Sequence, residues 1–192
     1  MKTPFFTADC HFNHIPIIQY ANRPFKNVND MNEELIKRWN EVVPPGSLVY
    51  VIGDFIWGKE RGYRTEGTRE IIDRLNGQIF LIEGSHDKPS IELIKEGYRK
   101  FVLKTTPQLR IKINKQDITL NHYCMRVWPK SHYDSWHLFG HSHNRLKPEG
   151  KSLDVGVDGH NYYPWTWNEI VEYMKTRPHN FNYINTFSGR GL

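Results

Sequence analysis

Apolar residues are gathered along this chain in short runs that end abruptly in polar, ionisable ones. Phe5-Phe6-Thr7-Ala8 gives way to Asp9, Cys10 and His11. Leu48-Val49-Tyr50-Val51-Ile52 is followed by Gly53-Asp54, and Ile79-Phe80-Leu81-Ile82 by Glu83-Gly84-Ser85-His86-Asp87. Continuous runs of this length predict buried strands. Between them the period changes. Met31, Leu35, Ile36, Trp39, Val42 and Val43 recur at helical spacing after Asn29-Asp30 and stop before Pro44-Pro45-Gly46. That pattern predicts a helix covering the core. Shorter helices are predicted over 68–75, closed by Asn76-Gly77, over 90–96, and over 167–174.

The second half reads differently. Residues 109–113 alternate apolar and polar, turn at 114–116 and continue through 117–120, the pattern of a half-exposed antiparallel hairpin. Its second strand runs into Asn121-His122-Tyr123. Trp136-His137-Leu138-Phe139 delivers Gly140-His141-Ser142-His143, and 153–157 reads as a further strand. The first half thus looks parallel and the second antiparallel. The charged, Gly-rich stretch 59–67 has no apolar period and is expected to be an exposed loop, and the polar tail after about 177 to be loosely held.

Composition narrows the setting. A chain of 192 residues can bury a substantial core, and no repeat or long linker divides it, so one domain over 1–192 is expected. No apolar run approaches the length of a signal peptide or a membrane span. Two cysteines make no disulfide framework, which points to the cytoplasm, and Cys10 and Cys124 are expected to be small buried residues. The net charge of +5 favours anionic ligands without forming a nucleic-acid footprint. Ten histidines are the more telling count.

Several of those histidines stand where strands end. Asp9, His11, Asp54, His86, Asp87, His122, His141 and His143 form a set of only Asp and His. That mix suits two divalent ions, with carboxylates to bridge and neutralise and imidazoles to fill the remaining positions. If 141–143 stay extended, their two imidazoles point apart and serve neighbouring ions rather than one.

The order Asp9-x-His11, Gly53-Asp54, Gly84-Ser85-His86-Asp87, His122, Gly140-His141-x-His143 resembles the calcineurin-like metallophosphoesterase superfamily. Thr7 to Phe12, Asn22-Arg23-Pro24-Phe25, Met125-Arg126-Val127-Trp128 and Asp154-Val155-Gly156-Val157-Asp158 look like its small bacterial and phage branch. The resemblance covers about residues 5–170. It implies an α/β fold, a four-layer α-β-β-α sandwich of two mixed sheets with flanking helices. It also implies that Asp9, His11 and His143 hold one metal, that His122 and His141 hold the other, and that Asp54 bridges them. His86 would stand beside the substrate as general acid, with Asp87 orienting its ring. The expected activity is hydrolysis of phosphate esters, preferably diesters of small nucleotide type or nucleic acid, by metal-activated hydroxide. Manganese suits the donors best, with iron, zinc, nickel or magnesium as substitutes.

One position departs from the family pattern, which has Asn where this chain has Ser85. A serine hydroxyl is the poorer ligand, so Ser85 is carried as a weak metal-site residue. His14, Arg126 and His132 are candidates for gripping substrate phosphate. Trp128 and Tyr162-Tyr163-Pro164-Trp165 read as packing, and Arg23 as a solvated cation. Two other readings compete: an impaired scaffold used as a binding module, and a basic nucleic-acid-binding protein with structural metals. Intact His86 and Asp87 favour the enzyme.

Overall fold

The computed structural model describes residues 3–58, 65–102 and 104–184. Strands β1 (Phe5–Thr7), β2 (Leu48–Ile52) and β3 (Gln78–Ile82) pair in parallel, and β8 (Trp165–Thr166) joins β1 antiparallel, giving the order β3-β2-β1-β8. The second sheet is ordered β4-β5-β6-β7, from Gln108–Ile113, Gln116–Asn121, Trp136–Phe139 and Ser152–Asp154. The result is an α/β sandwich of two mixed four-stranded sheets with flanking helices, as the sequence led one to expect.

Direction in the second sheet is the main correction. Only the β4–β5 hairpin is antiparallel; β5, β6 and β7 run parallel. The chain leaves β5, passes through a 3-10 turn at Ser131–Tyr133 and returns to begin β6 at the same end as β5. This matters for function, because parallel neighbours deliver their carboxyl ends to one edge. The expected strand 153–157 also stops at Asp154, whose carboxylate accepts the Gly156 N–H at 2.8 Å and turns the chain. Val157 N–H then donates to the Ala8 carbonyl at 3.1 Å, so the backbone crosses from one sheet to the end of β1 in the other.

The helices follow their apolar periods. Asn27 caps α2 (Val28–Val42) by accepting the Asp30 N–H, and Met31, Leu35, Ile36 and Trp39 face inward. Helices α3 (Thr65–Arg74) and α4 (Lys88–Lys95) each start two or three residues before their expected positions, and α5 (Trp167–Lys175) opens with a Thr166–Glu169 capping box. One turn of helix after Pro16, α1 (Ile17–Tyr20), was too short to show a period.

Alternation along β2 builds two apolar layers. Val49 and Val51 face the helices with Leu35, Trp39, Ile72 and Leu93. Ile52 faces the second sheet, where Phe6, Ile82, Ile118, Leu120, Leu138 and the α5 residue Ile170 meet. Each such buried side chain stabilises by about 1.5–3 kcal/mol. The two layers clamp both sheets and so fix the edge where their ends meet.

Two smaller expectations change. Residues 177–184 are anchored rather than loose. Buried Asn180 donates to the Ser131 and Ser135 carbonyls at 2.8 and 3.1 Å and accepts from Lys151 N–H at 2.8 Å. Cys10 is buried as expected, but Cys124 is exposed. Residues 59–64 of the expected loop and the last eight residues lie outside the described ones. Among the described residues no helix is long and apolar enough to cross a membrane.

Candidate metal centre

At the shared edge the backbone abandons extended geometry. Asp9, His11, Asp54, His141 and His143 all have φ between 47° and 67°, in the left-handed region. Non-glycine residues are uncommon there, Asp and His less so than most, and strain stored at such positions costs about 1–3 kcal/mol each. Surrounding bonds hold them there: Asp9 N–H to Gly53 O at 3.1 Å, His11 N–H to Asp54 O at 3.0 Å, and Gly140 N–H to His122 O at 3.0 Å. Residues 141–143 therefore do not stay extended, and the two imidazoles belong to different donor groups. Glycine is needed where the loops close up. A Cβ on Gly53, itself at φ 83°, would collide with the His122 ring, and one on Gly140 would lie 2.7 Å from Asp9 Oδ2.

Two sets of donors result. Asp9, His11 and His143 each bring one ligand atom within 4.8 Å of the others, and so do Asp54, His122 and His141. Asp54 lies between them, its Oδ2 3.6 Å from His11 Nε2 and 3.4 Å from His122 Nε2. Asp9 Oδ1, His11 Nε2 and His122 Nε2 are buried without a hydrogen-bond partner among the described residues. Such atoms are costly unless something else satisfies them. The other ring nitrogens are engaged. His122 Nδ1 donates to the Ile52 carbonyl at 2.9 Å and His143 Nδ1 to Asp158 at 2.7 Å, so each Nε2 is the nitrogen left to ligate a cation, which displaces any proton it carries.

Electrostatics agree. Burial opposes the charge on Asp54, but His122 and His11 outweigh it and hold the carboxyl below the usual range. Burial also opposes the charge on His122, yet Asp54 and Asp9 raise its pKa to about 9. Asp9, wholly buried, is pushed up to about 7 by desolvation. A buried carboxylate with an orphaned oxygen needs a counter-charge, and each of the two donor groups could hold a metal ion.

Behind the donors lies a layer of buried groups that sequence reasoning assigned otherwise. Arg23 is no solvated cation; its side chain is fully buried. It pairs with both Asp158 oxygens at 2.8 and 2.9 Å and donates to the Asp9 and Cys10 carbonyls at 2.7 and 2.9 Å. One guanidinium thus ties the β1 loop to the carboxylate that orients His143. Asp158→Asn is expected to destabilise the fold by about 3–5 kcal/mol, because it strands a buried charge. It should also weaken metal binding about 10–100-fold. Denaturant unfolding and metal titration of the one variant check both. Asp87 departs from its expected role as well. It accepts the N–H groups of Asp54, Phe55 and Gly84 at 2.9, 2.9 and 2.7 Å, so it pins the β2 loop to the β3 loop rather than orienting the His86 ring. Asp154 does the same for the β6 loop, accepting from Ser142 Oγ and Asn144 N.

In front of the donors opens a cleft of about 490 Å³ lined by His14, Ile17, Tyr20, Trp57, His86 and Arg145, among others. His86 stands beside the donors, its Nε2 3.9 Å from Asp54 Oδ2 and its ring 4.7 Å from that of Trp57. His14 stacks on Trp57 at 4.1 Å, and its Nδ1 lies 3.2 Å from His11 Nδ1; burial lowers its pKa to about 4. Ser85 Oγ donates to both Asp54 oxygens at 3.3 Å. Two expected phosphate grips lie elsewhere. Arg126 lines a separate cavity of about 250 Å³ beside Trp128 and Phe181, and His132 packs at a tilt against Tyr133 in the 3-10 turn. Trp57 and Arg145 line the cleft without having carried any signal in the sequence beyond their type.

Comparison with known proteins gives this geometry relatives but no activity. Uncharacterized protein MJ1445 of Methanocaldococcus jannaschii is 35% identical over 184 residues, 91% of this chain and 93% of that protein. The chain belongs to the same family as MJ1445. The gene 66 protein of Mycobacterium phage L5 is 26% identical over 176 residues, 85% of this chain and 79% of that protein. Among solved structures, the protein of unknown function AQ665 from Aquifex aeolicus has the same fold, with a TM-score of 0.66 at 23% identity over 89% of this chain and 98% of that one. YfcE, a phosphoesterase from E. coli, overlays with a TM-score of 0.43 at 16% identity over 81% and 78%, too loosely to bear on activity. No family model matches the chain.

Proposed function

We propose that this chain is a dinuclear-metal-dependent hydrolase of phosphate esters, a phosphodiesterase for small nucleotide-type substrates, in keeping with the metallophosphoesterase order of its motifs. One observation carries the reading. Asp54 of one donor group stands 3.6 Å from His11 of the other, and the buried Asp9 Oδ1, His11 Nε2 and His122 Nε2 have no partner among the described residues. Bound there, two divalent ions, manganese for preference, would polarise a phosphoryl group and supply hydroxide near neutral pH.

The chain's own residues do the rest. His86, held by its backbone bond to Asp54 Oδ1 at 2.9 Å and packed on Trp57, presents a ring nitrogen to the cleft as proton donor for the departing alkoxide. Ile17, Tyr20 and Trp57 offer apolar and aromatic surface for the organic part of an ester. Ser85 donates to Asp54 where the family's Asn would offer a carbonyl oxygen, which favours a looser second ion.

The test is hydrolysis of bis-p-nitrophenyl phosphate and p-nitrophenyl phosphate with manganese, after chelator stripping, by this chain and by Ser85→Asn. Metal-dependent turnover, faster on the diester, is the expected result, with tighter metal binding in Ser85→Asn. Failure of both proteins on both esters overturns the reading and leaves a binding scaffold.

A further inference from the structure

Arg145 lies two residues beyond His143, in the turn where its own N–H donates to the Ser142 carbonyl at 2.9 Å. It is exposed and lines the cleft beside Ile17 and Tyr20 of α1. Among the described lining residues it is the one side chain with a permanent positive charge, the other nitrogen bases being imidazoles. Its guanidinium donates to the Tyr20 carbonyl, and among the described residues no carboxylate pairs with it. Arg23, Arg38, Arg69 and Arg74, by contrast, are matched to Asp158, Glu34, Glu96 and Glu33. One bond to a backbone oxygen uses one of five N–H donors and cancels none of the charge.

The placement has a logic in the topology. His86 enters the cleft from the end of β3 in the first sheet, and Arg145 from beyond β6 in the second. The donor groups sit at the seam between the sheets, so a phosphate ester held there is flanked from both sides. We propose that Arg145 is the residue that binds the substrate's phosphate, donating two parallel N–H bonds to two of its oxygens while its tether to Tyr20 keeps it at the cleft wall. The apolar surface of Ile17 and Tyr20 next to this cation suits an ester whose organic group is flat or apolar, an aryl or nucleoside phosphate. This inference rests on the hydrolase reading above.

The test uses the full, manganese-loaded chain and the variants Arg145→Gln and Arg145→Lys. Three quantities are read: KM and kcat on bis-p-nitrophenyl phosphate, the affinity for inorganic phosphate by calorimetry, and manganese content. In Arg145→Gln, KM is expected to rise and phosphate affinity to fall about 10–100-fold, the scale of a lost charge-assisted pair, with kcat moving far less. Arg145→Lys should recover part of the loss, since a point charge replaces a fork. Manganese content should not change. An active parent whose variants keep both KM and phosphate affinity overturns the role of Arg145 alone. Loss of manganese in the variants would make Arg145 a support for the His143 loop and overturn it too. A parent that turns over no ester and binds no phosphate overturns the hydrolase reading itself, and Arg145 falls with it.

Discussion

Asp54→Asn is expected to abolish two-metal binding and to lower kcat/KM by more than about 10³-fold, beyond the loss from removing a single electrostatic donor. The geometry makes this the harshest single change. Asp54 Oδ2 stands 3.6 Å from His11 Nε2 and 3.4 Å from His122 Nε2, one imidazole from each donor group. An amide keeps the shape but carries no charge, and can turn an NH2 toward one cation or the other. The fold should survive, because the Asp54 backbone keeps its bonds to His11 N–H and to the Asp87 carboxylate. Equilibrium dialysis against manganese, with metal analysis of the retained protein, checks the binding half. Retention of two ions, with activity within tenfold of the parent, would show that this carboxylate does not bridge.

His86→Asn should separate proton donation from phosphate activation. Removing a general acid costs about 10²–10⁴-fold when the leaving group needs a proton. A nitrophenolate leaves without one, whereas a ribose or alkyl oxygen does not. The variant is therefore expected to lose little on bis-p-nitrophenyl phosphate and most of its rate on a dinucleotide or alkyl diester. The two substrates, run side by side, give the answer. An equal loss on both would make His86 a binding group rather than the acid.

What the sequence revealed depended on whether a feature is local. Apolar runs ending in Asp9, Asp54 and His141 show themselves because a buried strand and the polar residue after it are adjacent in the chain. Helix α2 shows itself through the spacing of Met31, Leu35 and Trp39. The direction of β6 does not, because a four-residue apolar run reads the same in a parallel or an antiparallel pair. Nor do the left-handed φ values of His11, His141 and His143, since strain is imposed by partners distant in sequence. The same cause hid the burial of Arg23, whose partner Asp158 lies 135 residues away. It also hid the role of Asp87, which bonds backbone rather than its neighbour's ring. Arg126 misled by proximity: four residues from His122 along the chain, it lines another cavity. Arg145 and Trp57 are defined only by the cleft they share.

The proposed dinuclear centre is tested most directly by crystals of the full chain grown with manganese, with anomalous scattering recorded above the metal's absorption edge. The expected result is two peaks about 3.5–4 Å apart. Asp54 should lie between them, Asp9, His11 and His143 around one, and His122 and His141 around the other. A single peak, or peaks elsewhere on the molecule with these donors bare, would contradict it.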